Sequence, residues 1–562
     1  MDAGGKRAAD GPHFYECGAF MPTAKPPSRV AEPGGRRAWR PLQRSTRVAI
    51  IGALLATMFY QVFLLNPAYR GPVWLWMAML LAEGLTAFHA IGTWWTILAH
   101  DDRPEAVEAT VWRNRLRAGA EAPSIDVFIT AYGEEPEMVR TTLRAARDME
   151  LDHRTYVLDD GDNDVLERIC ADEGVGYLRR EGGQHAKAGN VNAALARTDG
   201  EFVVIFDADH VPEPTFLLQV LPHFQDQDVA FVQSPQSYVN PVNLVATGAA
   251  EAQRIFYELV CPGKNHFNAA FCVGTNVMFR RAALDEIGGI WTGSNSEDIW
   301  TSIELHKRGW KSIYVPEVLA RGLAPQDVTS YLKQQLRWAT GGFEVLLRGK
   351  LWKRGNGLTI DQRLQYLFVG THYLLSLAMI TFMLFPPLYL LFTLAPIRAD
   401  GFTWATHYLP FQAMVLLVTW LQSGGFKPSA IVASIGAAPV HLRALWGALW
   451  GRATKWKSTN AGEGARSLWV VMPHLTLLIL NLTGIVVGIA AMTDPPPVYL
   501  SVGWAALIIL ILGRMILESV TGSPVAEPPP PSDDPPAGGQ KPTPQPVTVP
   551  VSPSTLPEGI PA

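Results

Sequence analysis

Two aspartates separated by one residue are the side chains in this sequence best suited to metal chemistry. Asp207 and Asp209 follow the apolar run Val203-Val204-Ile205-Phe206. Such a run is typical of a buried strand in a parallel sheet, so both carboxylates are expected at the strand's carboxyl end. Hard divalent cations prefer oxygen ligands and often join carboxylates to substrate phosphates. An isolated Asp-x-Asp also fits a helix cap or a solvated turn, but acids at neighbouring strand ends favour a metal site.

The segments around this pair predict an α/β domain. Strands are expected at residues 126–130, 155–158, 202–206 and 230–233, with helices at 137–147 and 165–173. Strands that alternate with helices imply a parallel sheet, whose ligands bind at the carboxyl ends of the strands. Thr130 and Tyr132 follow the first strand, and Asp159 and Asp160 follow the second. These polar residues are therefore expected beside Asp207.

The composition indicates a membrane protein with a water-soluble middle. Hydrophobic residues make up 48% of the 562 residues and charged ones 17%, against about a quarter charged in typical soluble domains. The net charge of −4 gives no basic field, so nucleic acid is not an expected partner. The four cysteines lie far apart without a metal-binding spacing, which favours reduced thiols in a cytosolic setting.

Six apolar runs are long enough to span a bilayer as helices. They are Val48–Leu65, Val73–Leu98, Tyr366–Pro396, Tyr408–Leu421, Trp469–Met492 and Val498–Leu517. Arginines before the first run place the N-terminus in the cytoplasm by the positive-inside rule. The α/β domain is then expected on the cytoplasmic face of the plasma membrane, with the lipid bilayer as a partner. Glu83 and His89, inside the second run, are expected to be functional or paired, with closeness to water as the alternative.

The predicted organisation has five parts. Residues 1–46 form a disordered cytoplasmic segment, 47–100 two transmembrane helices, 101–347 the cytoplasmic α/β domain, and 523–562 a disordered proline-rich tail. Residues 348–522 hold four further transmembrane helices and an amphipathic interfacial helix from Val440 onward.

A series of short motifs occurs in a fixed order along the α/β domain. The motifs are Thr130-Ala131-Tyr132-Gly133-Glu134, Leu158-Asp159-Asp160-Gly161, His185-Ala186-Lys187-Ala188-Gly189-Asn190, Phe206-Asp207-Ala208-Asp209-His210, Gln233-Ser234-Pro235, Phe256 to Gly263, Ser296-Glu297-Asp298 and Gln334-Gln335-Leu336-Arg337-Trp338. Together they resemble the processive family 2 glycosyltransferases of the GT-A fold, typified by the bacterial cellulose synthase catalytic subunit. Any one of these motifs is weak evidence for the resemblance, whereas the ordered series is specific to this family.

The resemblance implies a role for each matching residue. The residues that would bind the donor, a UDP-sugar, are Thr130, Tyr132, Glu134, Asp160, Lys187 and Asp207. Asp207 and Asp209 would hold Mg²⁺ or Mn²⁺ on the diphosphate. Asp298 would be the general base, and the acceptor-binding residues would be Gln334, Arg337 and Trp338. For Trp338, packing at a membrane interface is an alternative interpretation.

The implied reaction agrees with elementary chemistry. A departing UDP accumulates negative charge, which cations stabilise. The acceptor hydroxyl is a weak nucleophile and needs a carboxylate such as Asp298 within hydrogen-bond reach. A single displacement inverts the anomeric centre, so an α-linked donor gives a β-linked product. The predicted function is polymerisation of a UDP-sugar, with UDP-glucose favoured, into a β-glycan exported through the protein's own helices.

Several alternatives stay open at this stage. The protein could transfer one sugar to a polyprenyl or other lipid acceptor, or could be a transporter whose soluble domain is a sensor. N-acetylglucosamine and glucuronate donors, and the linkage, also stay open. Trp456 to Asn460 matches the family's gating loop only loosely. The resemblance makes export partners in the cell envelope expected, whereas a cyclic-di-GMP-binding domain is not expected in this chain.

Overall fold

The structure is a computed structural model that describes residues 42–100, 107–180, 182–239, 241, 243–294, 296–450, 468–491 and 495–522. Residues 1–41 of the predicted N-terminal segment, the tail at 523–562 and the gating segment Trp456 to Asn460 lie outside the described residues.

Two long helices form an N-terminal hairpin. Helix α1 is Arg44–Leu64 and helix α2 is Val73–Leu98, with a short 3₁₀ turn at Pro67–Tyr69 between them. Helix α1 thus begins three residues before the predicted boundary at residue 47. Both helices are long and apolar enough to cross a membrane.

A seven-stranded sheet forms the centre of the α/β domain. Its strands are β1 Ile125–Ala131, β2 Arg154–Asp159, β3 Gly176–Arg179, β4 Phe202–Asp207, β6 Val229–Gln233, β7 Val277–Arg280 and β8 Lys311–Tyr314, while β5 Val211–Pro212 and β9 Ala320–Arg321 pair separately. The strand order is β3-β2-β1-β4-β7-β6-β8. Strand β7 runs antiparallel to both β4 and β6. The predicted parallel sheet is therefore a mixed sheet, because the antiparallel strand β7 lies between β4 and β6.

Helices cover both faces of this sheet. They are α3 Val107–Arg117, α4 Pro136–Arg147, α5 Asp164–Glu173, α6 Ala186–Leu195, α7 Phe216–Val220, α9 Cys261–His266, α10 Arg281–Ile287 and α11 Glu297–Lys307. Helix α8 Leu244–Ile255 packs instead on the later helix Pro428–Gly436. Val204 and Phe206 of β4 join the hydrophobic core on one face, and Val203 and Ile205 join the core on the other. Strand β4 is thus buried on both sides, so the chain reaches solvent and its first polar groups only at Asp207.

The remaining helices follow the α/β domain. They are α12 Val328–Arg348, α13 Ile360–Thr371, α14 Leu375–Phe392, α15 Gly401–Ser423, α16 Pro428–Gly436, α17 Ala438–Leu449, α18 Met472–Ala490 and α19 Pro495–Thr521. Helix α12 starts at a capped turn, in which the Asp327 side chain accepts a hydrogen bond from the Ser330 N–H at 2.8 Å. This cap fixes the start of the helix that carries Gln334, Arg337 and Trp338.

Six helical stretches among the described residues qualify as membrane spans by length and hydropathy. They are Arg44–Leu64, Val73–Leu98, Ile360–Phe392, Pro428–Leu449, Trp469–Ala490 and Pro497–Thr521. The predicted span Tyr408–Leu421 lies in α15, which is not among them, whereas residues 428–449 are. The fourth span at Tyr408–Leu421 stays a prediction. Polar residues such as His407 and Gln412 lower the hydropathy of α15. This helix packs along α1, which is itself a candidate span.

Candidate active site

The carboxyl ends of β1, β2 and β4 meet at one edge of the sheet. Parallel pairing places Thr130 opposite Asp207, and Ala131 opposite Asp159. The Thr130 hydroxyl lies 3.3 Å from Asp207 Oδ1. Asp159 is buried and accepts hydrogen bonds from the backbone N–H groups of Gly161 and Asn163, both at 2.7 Å. Asp159 therefore stabilises the turn after β2, and the residues beside it are the candidates for chemistry at this edge.

Asp207, Asp209 and His210 form a candidate metal site. One potential ligand atom from each residue lies within 4.8 Å of the others. His210 Nδ1 lies 2.7 Å from Asp209 Oδ1, and its Nε2 is buried without a hydrogen-bond partner in the described part of the chain. An imidazole nitrogen beside two carboxylates suits a divalent cation, so these residues fit Mg²⁺ or Mn²⁺. Sequence reasoning missed His210, although its place directly after Asp209 was a signal.

Lys187, in the first turn of α6, connects this cluster to the next strand. Its ammonium contacts Asp207 Oδ1 and donates a hydrogen bond to the Gly274 carbonyl at 2.6 Å. Burial acts to lower the pKa of Lys187, but the carboxylates of Asp207 and Glu297 outweigh this and raise it. Lys187 is therefore a fixed positive charge at the edge of the sheet.

Asp298 lies in the first turn of α11, on the other side of Gly274. A Cβ atom at Gly274, whose φ is +87°, would lie 3.5 Å from Asp298 Oδ2 and 3.8 Å from Lys187 Nζ. The three carboxylates of Asp207, Asp209 and Asp298 therefore belong to one cleft. The Asp298 side chain also accepts a hydrogen bond from the Ile299 N–H at 2.8 Å.

Burial raises the pKa of both carboxyl groups at the start of α11, Glu297 and Asp298. It raises the pKa of Asp298, against the opposing charges of Arg337 and Lys187. It raises the pKa of Glu297 to about 7, and the nearby Asp298 charge adds to the increase. A carboxyl group whose pKa lies closer to neutrality is a more effective proton acceptor than a surface aspartate.

Helix α12 brings the predicted acceptor residues to the cleft. Gln334, Arg337 and Trp338 have the i, i+3, i+4 spacing that places side chains on one helix face. The charge of Arg337 acts on Asp207, Glu297 and Asp298. Gln334 Oε1 is buried and accepts no hydrogen bond from the residues that the structure describes. This oxygen is suited to accept a hydrogen bond from a ligand hydroxyl.

Helix α12 touches the start of α11 through a glycine. A Cβ atom at Gly341 would lie 1.7 Å from Ser296 Oγ and 2.5 Å from Ser296 Cβ. Ser296 directly precedes Glu297 and Asp298 in the chain. The close approach of the helices that carry the predicted base and the predicted acceptor residues thus requires glycine at position 341.

The predicted residues for the nucleoside lie after β1 and β2. Glu134 Oε2 accepts a hydrogen bond from the Tyr132 N–H at 2.5 Å, and burial raises the pKa of Glu134. Asp160 forms a bidentate ion pair with Arg180, at 2.6 and 2.7 Å. Sequence reasoning missed Arg180, which follows β3, because that strand itself was not predicted. The ion pair fixes the orientation of the Asp160 carboxylate.

One cavity of about 2430 Å³ contains the whole arrangement. All eleven predicted site residues line it, namely Thr130, Tyr132, Glu134, Asp160, Lys187, Asp207, Asp209, Asp298, Gln334, Arg337 and Trp338. The cavity continues between the membrane helices, where His89 of α2 and His441 of α17 belong to its lining. The α/β domain and the membrane helices therefore share a single continuous space.

Two family descriptions match the chain. Residues 122–341 match "Glycosyltransferase like family 2", and residues 284–421 match "Cellulose synthase". The cellulose synthase catalytic subunit of Pseudomonas fluorescens is 35% identical over 55% of this chain and 43% of its own length. The chain is a family 2 glycosyltransferase related to bacterial cellulose synthase catalytic subunits. This glycosyltransferase is also 36% identical to the catalytic subunit of Xanthomonas axonopodis pv. citri, over 45% of this chain and 36% of that protein.

The glycosyltransferase spans less than half the length of these two relatives. Among solved structures, the mannosyltransferase PcManGT from Pyrobaculum calidifontis matches 67% of this chain and 100% of its own, with 17% identity and a TM-score of 0.42. Glucosyl-3-phosphoglycerate synthase from Mycobacterium tuberculosis matches 38% of this chain and 78% of its own, with 20% identity and a TM-score of 0.25. The family 2 match over residues 122–341 agrees with a GT-A-like mixed sheet, which six long apolar helices flank.

Proposed function

We propose that this cellulose synthase-like glycosyltransferase polymerises a UDP-sugar, with UDP-glucose as the leading candidate, into a β-linked polysaccharide. The product would leave through the membrane part of the cavity. One observation carries the proposal: residues matched to donor, base and acceptor roles line a single space that continues between the membrane helices. The proposed location is the plasma membrane, with the catalytic domain on the cytoplasmic side.

The donor would bind at the carboxyl edge of the sheet. Tyr132, Glu134 and Asp160 are proposed to hold the nucleoside, with Asp160 oriented by Arg180. Asp207 and Asp209, together with His210, would hold Mg²⁺ or Mn²⁺. A divalent cation at this position neutralises the diphosphate leaving group.

Lys187 and Arg337 would add fixed positive charge around the departing UDP. Lys187 is held between Asp207 and the Gly274 carbonyl, so it is preorganised before the donor arrives. Preorganised charge stabilises the transition state without a reorganisation cost at the moment of reaction.

Asp298 would remove the proton from the acceptor hydroxyl as that oxygen attacks the anomeric carbon. The oxygen–carbon bond forms while the bond to the diphosphate breaks, which inverts the configuration. Gln334 and Trp338 would position the acceptor sugar, through a hydrogen bond to the unpaired Gln334 oxygen and through stacking on the indole ring.

Purified full-length protein, incubated with Mg²⁺ or Mn²⁺ and each UDP-sugar in turn, tests this proposal. We expect UDP release together with a β-linked polymer, identified by linkage analysis. Asp298→Asn should lower turnover by about 10²- to 10⁴-fold, the usual contribution of a general base. Asp285→Asn is the matched control, because Asp285 is exposed on α10. A single-sugar lipid product would show transfer to a lipid carrier instead, and equal turnover in both variants would reject the catalytic assignment.

A further inference from the structure

The lining of the cavity changes in charge along its length. Its acidic residues all come from the α/β domain, between Glu134 and Asp298. The membrane part of the cavity is lined by residues that include His89, Thr96, Gln365, Phe368, His372 and His441. Among the described residues, the lining contributed by the membrane helices contains no Asp or Glu. The two ends of one space therefore differ in electrostatic character.

Lys264 of α9 lines the same cavity where the two parts meet. Its side chain is almost fully buried, with 4% of the residue exposed. The ammonium donates to Gln365 Oε1 at 3.0 Å and lies 5.6 Å from the centre of the Phe271 ring. These partners are neutral, and the described residues supply no carboxylate that pairs with it.

The neighbours of Lys264 hold it in place. The Gln365 amide donates to Thr96 Oγ1 of α2 at 2.9 Å, so one chain of hydrogen bonds joins α9, α13 and α2. A Cβ atom at Gly263 would lie 1.9 Å from the Thr96 carbonyl, which shows how closely α9 approaches α2. The position of the ammonium is therefore set by the contact between the catalytic domain and the membrane helices.

A buried cation without a counter-charge is costly to a folded protein. Burial lowers the pKa of Lys264 to about 8, so the group still carries its charge at neutral pH. Nearby, His372 supplies no acid that could compensate this charge. An anion that enters the cavity would remove this imbalance.

We propose that the membrane part of the cavity receives an acceptor that carries a negatively charged group, and that Lys264 binds this group. A carboxylate on a sugar of the growing glycan or a phosphate on a lipid carrier would supply the same chemistry. The inference rests on the proposed polymerisation, because it names the class of acceptor used at that site. It does not rest on UDP-glucose as the donor, because a chain of glucose alone carries no charge. Lys264 is thus a specificity-determining residue for the acceptor, separate from the donor site.

Acceptor binding to the full-length protein, measured by calorimetry without donor, tests the proposal independently of turnover. The probes are a neutral β-linked glucose trisaccharide, the same trisaccharide ending in glucuronate, and a polyprenyl phosphate. We expect an anionic probe to bind at least about tenfold more tightly than the neutral one, a ratio equivalent to about 1.4 kcal/mol. The preferred anionic probe identifies whether the charge belongs to a sugar or to a lipid.

Lys264→Gln should abolish this preference, whereas Lys264→Arg should retain most of it. Lys311→Gln is the matched control, because Lys311 is partly exposed and forms ion pairs with Asp226 and Asp228. Thermal unfolding of each variant checks that the fold is intact. Equal affinity of the wild type for neutral and anionic probes would overturn the proposal, as would a preference unchanged in a folded Lys264→Gln protein. Since the measurement needs no donor, failure of the proposed polymerisation would be seen separately, as absent UDP release.

Discussion

Replacing Gly341 with alanine would separate the helices that carry the proposed base and the proposed acceptor residues. The new methyl carbon would lie 1.7 Å from Ser296 Oγ and 2.5 Å from Ser296 Cβ. The hydroxyl can rotate away, but the Cβ atom cannot move without its backbone. Since non-bonded carbons sit best at about 3.5 Å, roughly 1 Å of displacement remains between α12 and the start of α11.

This displacement predicts a large kinetic effect and a smaller loss of stability. A misplacement of about 1 Å at catalytic groups can cost around 10²-fold in rate. Overpacking by one methyl group in a tight interface typically costs about 1–3 kcal/mol. We therefore expect Gly341→Ala to lower kcat roughly 100-fold in UDP release, with a moderate decrease in Tm.

Moving the glycine to the other side of the contact should restore activity. Ser296 makes no side-chain hydrogen bond that caps α11, so Ser296→Gly alone should have a mild effect. In the double variant Ser296→Gly/Gly341→Ala, the nearest atom that remains is Ser296 Cα at 3.9 Å, an ordinary contact distance. A double variant as impaired as Gly341→Ala would refute the steric reasoning, and so would a fully active Gly341→Ala protein.

Three further predictions concern acidity, the nucleoside site and the metal. Burial raises the pKa of Asp298, and the charge of Arg337 opposes this increase. We therefore expect kcat/KM to fall as the pH decreases through the pKa of Asp298. Arg337→Gln should move this fall to higher pH. A pH profile that does not shift would contradict the assignment. Arg180→Gln should raise the KM for the UDP-sugar more than it lowers kcat, because Asp160 loses its bidentate partner. If the ion pair were only structural, steady-state kinetics would instead show a larger decrease in kcat than increase in KM. Chelation by EDTA should abolish turnover, and addition of Mg²⁺ or Mn²⁺ should restore it. His210→Ala should raise the metal concentration needed for half-maximal turnover by about 10-fold or more. An unchanged metal requirement would exclude His210 as a ligand.

The strands that position the site could be predicted from local pattern. Strands β1, β2, β4 and β6 each contain an apolar run, and the observed bounds differ from the predicted ones by at most one residue at either end. The polar residues at their ends followed directly, because the carboxyl ends of parallel strands meet at one edge. The roles of these residues came from the resemblance, and the placement of all eleven in one cavity is consistent with them without testing them.

What local pattern missed depends on contacts between distant segments. The short strands β3, β7 and β8 have four residues each, too few for a periodic signal to separate them from loops. The antiparallel direction of β7 depends on which strand it meets, and nothing within its own residues encodes this. Arg180 was missed with β3, and His210 was given no ligand role although it directly follows Asp209.

The residues around Lys264 come from two parts of the molecule, since Thr96 and Gln365 belong to candidate membrane spans while Lys264 belongs to the α/β domain. If the chain were truncated at both ends of the α/β domain, the resulting fragment would therefore contain only part of the cavity, which would be open to water on one side. Detergents that loosen helix packing would damage the chemistry by the same route, so screening of solubilisation conditions should monitor activity rather than yield.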